Sequence, residues 1–514
     1  MKKISLIFVV FFFLNNYKLA QSNQLNNSKK NLSFTIPTVL NEKDKKIYLE
    51  INKYQSKGDW KNIDIKIKLL DNKILLGYLE YDKLMHPNKY RASYDELSLW
   101  LLTYNDFPVV MQRRVYNLMI KRSSQKKSIS HKLPKPEYGN YLRGYGENKK
   151  YYSAKSKKKN IEKRSYLSED IINLIVRQDF DKLLRYYLNN KAIQLDIVYY
   201  LQKDAERKYF AGFIKESLNS YNFLENKINI KRPENFFKTG LIFFKLRNKS
   251  KASMYFNKCN EFMFSSPSQY SPNLKSACLY WAAKVSLTKK ASNDFYIKAT
   301  KFDRTMYGQL AIEKLKKKES FIWKKEKYES FQNNHKNILS LSIFQRLIAL
   351  SELELYDKAD LEMRNLYSQL GKENAKFLYY LSEKLDLAAV QIRLAETFYN
   401  KDTILFIRGM YPTPEWNLNQ GFLFDKAFIY ALIRRESAFN LKAKSSKGAR
   451  GLMQLMPRTA SKIKKDHRLR YGHKHKLYTL DLNLELGQKL LKELVESPNT
   501  KNQVLSTLIA YNAG

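Results

Sequence analysis

Glycine and proline are scarce in this chain, at 16 and 12 among 514 residues. Together they make up about 5%, against roughly 12% in average usage, which excludes collagen-like and Gly/Pro-rich disordered sequences. A large all-β protein, with its many Gly/Pro turns, is disfavoured for the same reason. Cysteine is nearly absent. Cys259 and Cys278 are the only two, too few for a four-thiolate zinc site. Both sit among apolar residues in helical patterns and read as two small buried side chains, with a single bridge left open. Acidic residues are also few: 49 Asp and Glu face 93 Lys and Arg, for a net charge of +44. Beyond the N-terminus no stretch approaches the roughly 20 apolar residues a membrane span requires. What remains is 44% hydrophobic and 14% aromatic residues, enough for a large helical core. Most of the charge reads as a solvated lysine-rich surface. Its sharper reading is a polyanionic partner: nucleic acid, an acidic membrane surface or an acidic polymer.

The first 20 residues read as an export signal. Lys2 and Lys3 precede an apolar run over residues 4–14, broken only by Ser5, which is too short to span a bilayer but the right length for a signal-peptide core. Ala20 is a small residue before a candidate cleavage point, although Lys18 fits the A-x-A pattern poorly and leaves the site unfixed. No cysteine closely follows the run, so a lipid anchor is not indicated.

From about residue 40 to 405, apolar residues recur at three and four positions with few breakers, the pattern of successive helices. Part of this text repeats. Phe236, Phe237, Gly240, Leu241 and Phe244 form one stripe, followed by a turn at Asn248-Lys249-Ser250 and then Ala252 and Phe256. Leu279, Trp281 and Ala282, a turn at Lys289-Lys290, then Ala291 and Phe295 repeat it, 39 residues on from Ala252 and Phe256. A looser copy lies at Leu347, Leu350, Ala359 and Met363. Such helix pairs cannot bury their apolar faces alone, and stacking of neighbours closes the core, as in an α-solenoid. The aromatic stripes are therefore core rather than a cofactor site. A basic stretch near 121–164, with Pro134, Pro136, Gly139, Gly144 and Gly146, reads as a long loop. Its interleaved lysines and tyrosines would suit nucleic acid, but an export signal argues against that partner.

A second boundary falls near residues 408–421, where Pro412, Pro414, Trp416 and Gly421 interrupt the helical pattern. Beyond it, residues 426–514 carry 18 Lys/Arg against 6 Asp/Glu. Three short motifs lie in this segment: Arg435-Glu436-Ser437, then Gly448-Ala449-Arg450-Gly451-Leu452-Met453-Gln454-Leu455-Met456-Pro457, and finally Ala510-Tyr511-Asn512-Ala513-Gly514. The pattern predicts an amphipathic helix over residues 425–435 with Glu436 at its end. A lone acid there meets the negative end of the helix dipole, and partial burial adds desolvation. Both raise a carboxyl pKa and suit a general acid. Gly448 and Gly451 bracket a turn that lets backbone approach a ligand closely. The loop with Asp466, His467, His473 and His475 has metal-ligand residue types, but its Lys/Arg-rich surroundings repel a cation, so no metal and no cofactor is expected.

Together, A-L-I-R-R-E-S-A-F, S-x-G-A-x-G-L-M-Q-L-M-P-x-T-A and A-Y-N-A-G resemble the soluble lytic transglycosylases of bacterial cell walls. The segment Thr305-Met306-Tyr307-Gly308-Gln309-Leu310-Ala311 is similar to a signature of that family's helical superhelix. The resemblance implies an all-α fold: a signal peptide at 1–20, an α-superhelix over 21–407, and a lysozyme-like catalytic domain over 408–514. It implies a periplasmic enzyme that cleaves peptidoglycan glycan strands between N-acetylmuramic acid and N-acetylglucosamine with 1,6-anhydro ring closure. By the same resemblance Glu436 is the sole catalytic acid/base and Ser437 the neighbour that orients it. Met453, Gln454, Tyr511 and Asn512 are glycan-cleft contacts, and Gly448, Ala449 and Gly451 shape the cleft wall. Family members continue past Ala-Tyr-Asn-Ala-Gly, so the catalytic domain is expected to be incomplete at Gly514. A peripheral contact with the wall or outer membrane is compatible with the charge, whose polyanion would then be peptidoglycan with its carboxylate-bearing stem peptides. The alternatives are a hydrolase of the same fold and a non-catalytic, glycan-binding helical scaffold.

Overall fold

The computed structural model describes residues 36–123, 133–142, 167–265, 271–318, 336–398 and 402–513. The expected signal peptide, most of the basic stretch at 121–164, and Gly514 lie outside the described residues. Among the described residues the regular structure is helical, with only two isolated β-bridges, Lys444 to Arg450 and Arg450 to Leu455. The sequence marks many helix starts. Asn41, Ser93, Thr288, Asp402 and Asp425 each accept a backbone N–H of the first turn through their side chains. Pro233 and Pro272 occupy first-turn positions, where a missing N–H costs no hydrogen bond. No described helix is long and apolar enough to cross a membrane.

The chain divides into two compact units, Asn148–Ile322 and the combination of Met1–Glu147 with Trp323–Gly514. Within Asn148–Ile322, consecutive helices pack on one another in sequence order. Pro233–Lys245, Lys249–Ser265 and Pro272–Val285 share a core of Phe236, Phe243, Ala252, Phe256, Cys259, Cys278 and Ala282, flanked by Phe237, Leu241, Phe244, Trp281 and Phe295. These are the repeated aromatic stripes, and they are core as their spacing predicts. Cys259 and Cys278 are joined in a disulfide, which corrects the reading of two separate buried thiols. Helices that pack face to face bring the two positions within bonding reach, and helical spacing alone does not reveal that. The Thr305–Ala311 segment also acquires a physical reason. The Thr305 hydroxyl accepts the Gly308 N–H at 3.1 Å and starts the helix Met306–Lys314. A Cβ on Gly308 would lie 1.9 Å from the Phe302 carbonyl oxygen, so only glycine fits there.

The other unit brings the beginning of the chain against residues more than 200 positions later. Its N-terminal helices, Leu76–Leu84, Tyr94–Thr103 and Val109–Ser123, enclose a ring cluster of Tyr78, Trp100, Tyr104 and Phe107. Helices Ser342–Glu352 and Tyr356–Leu370 supply the groups that hold this part. Arg346, 3% exposed, pairs with the fully buried Glu362 at 2.6 Å and with Asp106 at 2.8 Å. Tyr78 donates its hydroxyl to Glu362 at 2.9 Å, and Asn365 donates to the Asp106 carbonyl at 2.7 Å. Glu352 accepts the backbone N–H groups of Val39 and Leu40, each at 2.9 Å. Burial drives the Glu362 carboxyl upward, and the Arg346 guanidinium opposes that shift. From here the helices Ala375–Lys384, Ala388–Ala395 and Thr403–Met410 lead to the last segment. The Glu415 N–H donates to Asp386 at 2.7 Å, and Arg408 pairs with Glu383.

Removing one partner of the Arg346–Glu362 pair leaves the other charged and buried. Arg346→Met is expected to cost about 3–5 kcal/mol in denaturant unfolding, and Arg346→Met with Glu362→Leu less than the single change. Equal losses from the single and double substitutions would show that the pair is not the source of the effect.

Candidate active site

The helix Lys426–Ser437 begins at Asp425, whose carboxylate accepts the Ala427 and Phe428 N–H groups at 2.8 and 3.3 Å. Ile429, Tyr430, Leu432 and Ile433 form its buried face. Behind them, Trp416 packs on Tyr430 and Phe439 with ring centroids 6.0 and 5.8 Å apart. Arg434 turns away from the helix end and donates to the Met410 carbonyl at 2.6 Å. The helix stops where Ala438 takes a left-handed conformation (φ 47°), and Phe439 follows with φ 62°. Two successive non-glycine residues in this region are uncommon and need surrounding structure to hold them.

Glu436 stands in the last turn, half-buried, and among the described residues its carboxylate has no ion-pair or hydrogen-bond partner. Desolvation by burial raises its pKa above the ordinary carboxylate range, and the nearby Arg435 cation pulls it part of the way back. No other carboxylate contributes to the shift. Ser437 is buried, and its hydroxyl donates back to the Ile433 carbonyl at 3.1 Å rather than to Glu436.

The second motif forms a tight turn. Gly448 and Gly451 both have left-handed φ, 93° and 76°. Ser445 and Ala449 close one end, with the Ser445 N–H on the Ala449 carbonyl and the Ala449 N–H on the Ser445 hydroxyl, each at 3.0 Å. Gln454, itself at φ 48°, folds its carboxamide back onto the carbonyls of Gly451 (2.8 Å) and Ala443 (3.3 Å). Met453 is fully buried, its sulfur lying over Gly487 of the helix Leu480–Glu496, so its side chain is core and its backbone is what faces the motifs. The third motif lies on the helix Val504–Ala513. Tyr511 donates its hydroxyl to the Met453 carbonyl at 2.7 Å. Its own ionisation is pushed upward, first by burial and then by the negative charge of Glu436. Asn512 is exposed beside it.

The structure thus brings Glu436, the Met453 backbone and Tyr511 to one place from three separate motifs. Two residues that the sequence reading passed over hold this arrangement. Asn483, fully buried on the helix Leu480–Glu496, accepts the Met453 N–H at 2.8 Å and donates to the carbonyls of Arg450 and Leu477. Gln488, one turn on, accepts the Leu423 N–H at 2.8 Å. Their signal in the sequence was polarity at positions of a helix face otherwise filled by Leu484, Leu486, Gly487 and Leu491.

The histidine loop has a different occupant. Asp466 accepts both Nε and Nη2 of Arg468, at 2.9 and 3.1 Å, which holds its carboxyl down at about 2. Among the described residues no group of three or more His, Cys, Asp or Glu could hold a metal ion.

Residues 418–514 match the family described as Transglycosylase SLT domain. The chain is 42% identical over 96 residues to a protein of Haemophilus influenzae described as a putative soluble lytic murein transglycosylase. It is 36% identical over 90 residues to the soluble lytic murein transglycosylase of Escherichia coli K12. The matched stretches are 18% and 17% of this chain, and span 16% and 14% of those relatives. A crystal structure of the 70 kDa soluble lytic transglycosylase from Escherichia coli aligns over 93% of this chain and 90% of that one, at 14% identity and a TM-score of 0.45. The three motifs that converge at Glu436 fall inside residues 418–514, and that segment belongs to the Transglycosylase SLT domain family.

Proposed function

We propose that the protein is an exported, periplasmic lytic transglycosylase that cuts peptidoglycan strands during wall remodelling. It cleaves the β-1,4 bond from N-acetylmuramic acid to N-acetylglucosamine and leaves a 1,6-anhydro end. The observation that carries this reading is the Glu436 carboxyl, half-buried, raised in pKa by that burial, and without an ion-pair or hydrogen-bond partner among the described residues. Glycosidases that work with two place them about 5–5.5 Å apart in retaining enzymes and about 6.5–9.5 Å in inverting ones. A carboxylate at the shorter spacing would weigh on Glu436 as a like charge, and among the described residues none is a cause of its shift.

One carboxyl suffices if the nucleophile belongs to the substrate. Protonated Glu436 gives its proton to the glycosidic oxygen as the bond from C1 breaks, and the substrate's own N-acetyl group stabilises the cation. The Glu436 carboxylate then takes the proton of the C6 hydroxyl, whose oxygen bonds to C1 and closes the ring. The proton count on Glu436 is restored and no water is consumed. In this reading Gln454, Tyr511 and Asn512 contact the glycan, and Met453 contributes its backbone. Ser437 fixes the helix end that carries Glu436, and the Gly448–Ala449–Gly451 turn forms the wall.

The surface beside the turn favours an anionic polymer. Arg458, Lys462, Lys465, Arg470, Lys474 and Lys476 are exposed and have no ion-pair partner among the described residues. Stem peptides of peptidoglycan present carboxylates to such a surface.

Glu436→Gln is expected to lower wall-lysing activity by roughly 10²–10⁴-fold while leaving the thermal melt unchanged. The products should carry 1,6-anhydro ends by mass spectrometry; reducing ends as the main product would instead assign a hydrolase. Because the raised pKa keeps Glu436 protonated above the usual range, activity should fall as pH rises through it. Arg435→Gln removes the cation that lowers that pKa, so the alkaline limb of the rate profile should move to higher pH. A limb that stays in place would mean another group sets it. Replacing Lys462, Lys465, Arg470 and Lys474 together by Gln should weaken retention on isolated wall at low salt, with the difference vanishing at high salt.

A further inference from the structure

Asn483 belongs to none of the three motifs, yet its carboxamide contacts three separate stretches of backbone. Its oxygen accepts the Met453 N–H at 2.8 Å, and its nitrogen donates to Arg450 at 3.0 Å and to Leu477 at 2.7 Å. The side chain is fully buried, so losing the carboxamide would leave its backbone partners unpaired. The fit around it is close on all sides. A Cβ on Gly451 would lie 2.3 Å from the Asn483 nitrogen and equally near the Leu477 carbonyl oxygen, so the turn reaches the amide only as glycine. Met453 is therefore gripped at both polar ends: its N–H by Asn483 and its carbonyl by the Tyr511 hydroxyl. Tyr511 in turn feels the charge of Glu436.

We propose that Asn483 is a positioning residue for the reaction, acting through Met453 and Tyr511 to set the Gly451–Gln454 turn at the site of Glu436. The inference rests on the transglycosylase reading. It assigns the alignment of the Gly451–Gln454 turn to a helix outside the motifs, Leu480–Glu496. Without the carboxamide, the Met453 N–H and two carbonyls lose their partners. The turn then shifts toward water, and the Tyr511 acceptor shifts with it. A displacement of about 1 Å at such a point costs on the order of 100-fold in rate, without touching the acid itself.

The test is a double-mutant cycle on the full chain, with Asn483→Leu, Tyr511→Phe and the pair. Asn483→Leu is expected to lower kcat by roughly 10–100-fold with a smaller change in KM, and far less when Tyr511 is already Phe. The pH of the alkaline limb should stay where Glu436 sets it. Hydrogen exchange read at the Met453 amide should lose its protection in Asn483→Leu, a measurement that requires no activity. Equal losses in both backgrounds, or an unchanged Met453 amide in a folded variant, would overturn the proposal. Should Asn483→Leu not fold, Asn483→Ser in the same cycle decides it by the same two readouts. A wild-type protein that releases no glycan would sink the transglycosylase reading, whereas an active wild type with an additive cycle sinks only the role of Asn483.

Discussion

The guanidinium of Arg346 lies between the carboxylates of Glu362 and Asp106, almost wholly out of water, and the two halves of one compact unit meet around it. A buried ion pair adds little net stability over a well-packed apolar contact, but it is unforgiving about who its partners are. Any other packing of the helices near residue 100 against those near residue 350 would strand one of these charges. Tyr78, Asn365 and Ser342 complete the polar set, each on Glu362 or Asp106. The cluster therefore specifies one arrangement of Leu76–Leu84 against Ser342–Glu352 and Tyr356–Leu370. The Glu352 carboxylate on Val39 and Leu40 extends the same logic to the start of the described chain.

At the site the same device appears in neutral form. Ala438, Phe439 and Gln454 all adopt a left-handed backbone without being glycine, and such conformations persist only when neighbours over-determine them. Hydrogen bonds to backbone supply that determination: Ser437 on Ile433, Gln454 on Gly451 and Ala443, Asn483 on Met453, Arg450 and Leu477. The carboxyl of Glu436, by contrast, has no ion-pair or hydrogen-bond partner among the described residues. A salt bridge at that carboxyl would hold it ionised, against the proton-donor role proposed for it. The nearest cation, Arg435, is exposed and acts only at a distance.

Much of this was open to inspection in the chain itself. The aromatic stripes around Phe236, Phe256 and Trp281 announce their burial because helical periodicity is a local property. The end of the helix at Glu436 is equally local, as are the left-handed turns at Gly448 and Gly451. Met453 shows the limit of that reading. A motif position suggested a ligand contact, but packing over Gly487 makes its side chain core. The Cys259–Cys278 bond was undecided for a similar reason, since helical spacing says that a residue is buried and not what faces it.

The sequence by itself determined the helical class, the places where helices begin and stop, and the identity of the lone acid, because each depends on side chains within a few residues of one another. Tertiary structure alone decided that Arg346 meets Asp106 and Glu362, that Asn483 grips Met453, and that the Tyr511 hydroxyl ends on the Met453 carbonyl. Those contacts join residues 30 to 240 positions apart, apart from the Arg346–Glu362 pair on adjoining helices. What selects them is the cost of leaving a buried polar group unpaired, and that cost is set only once the whole chain has packed.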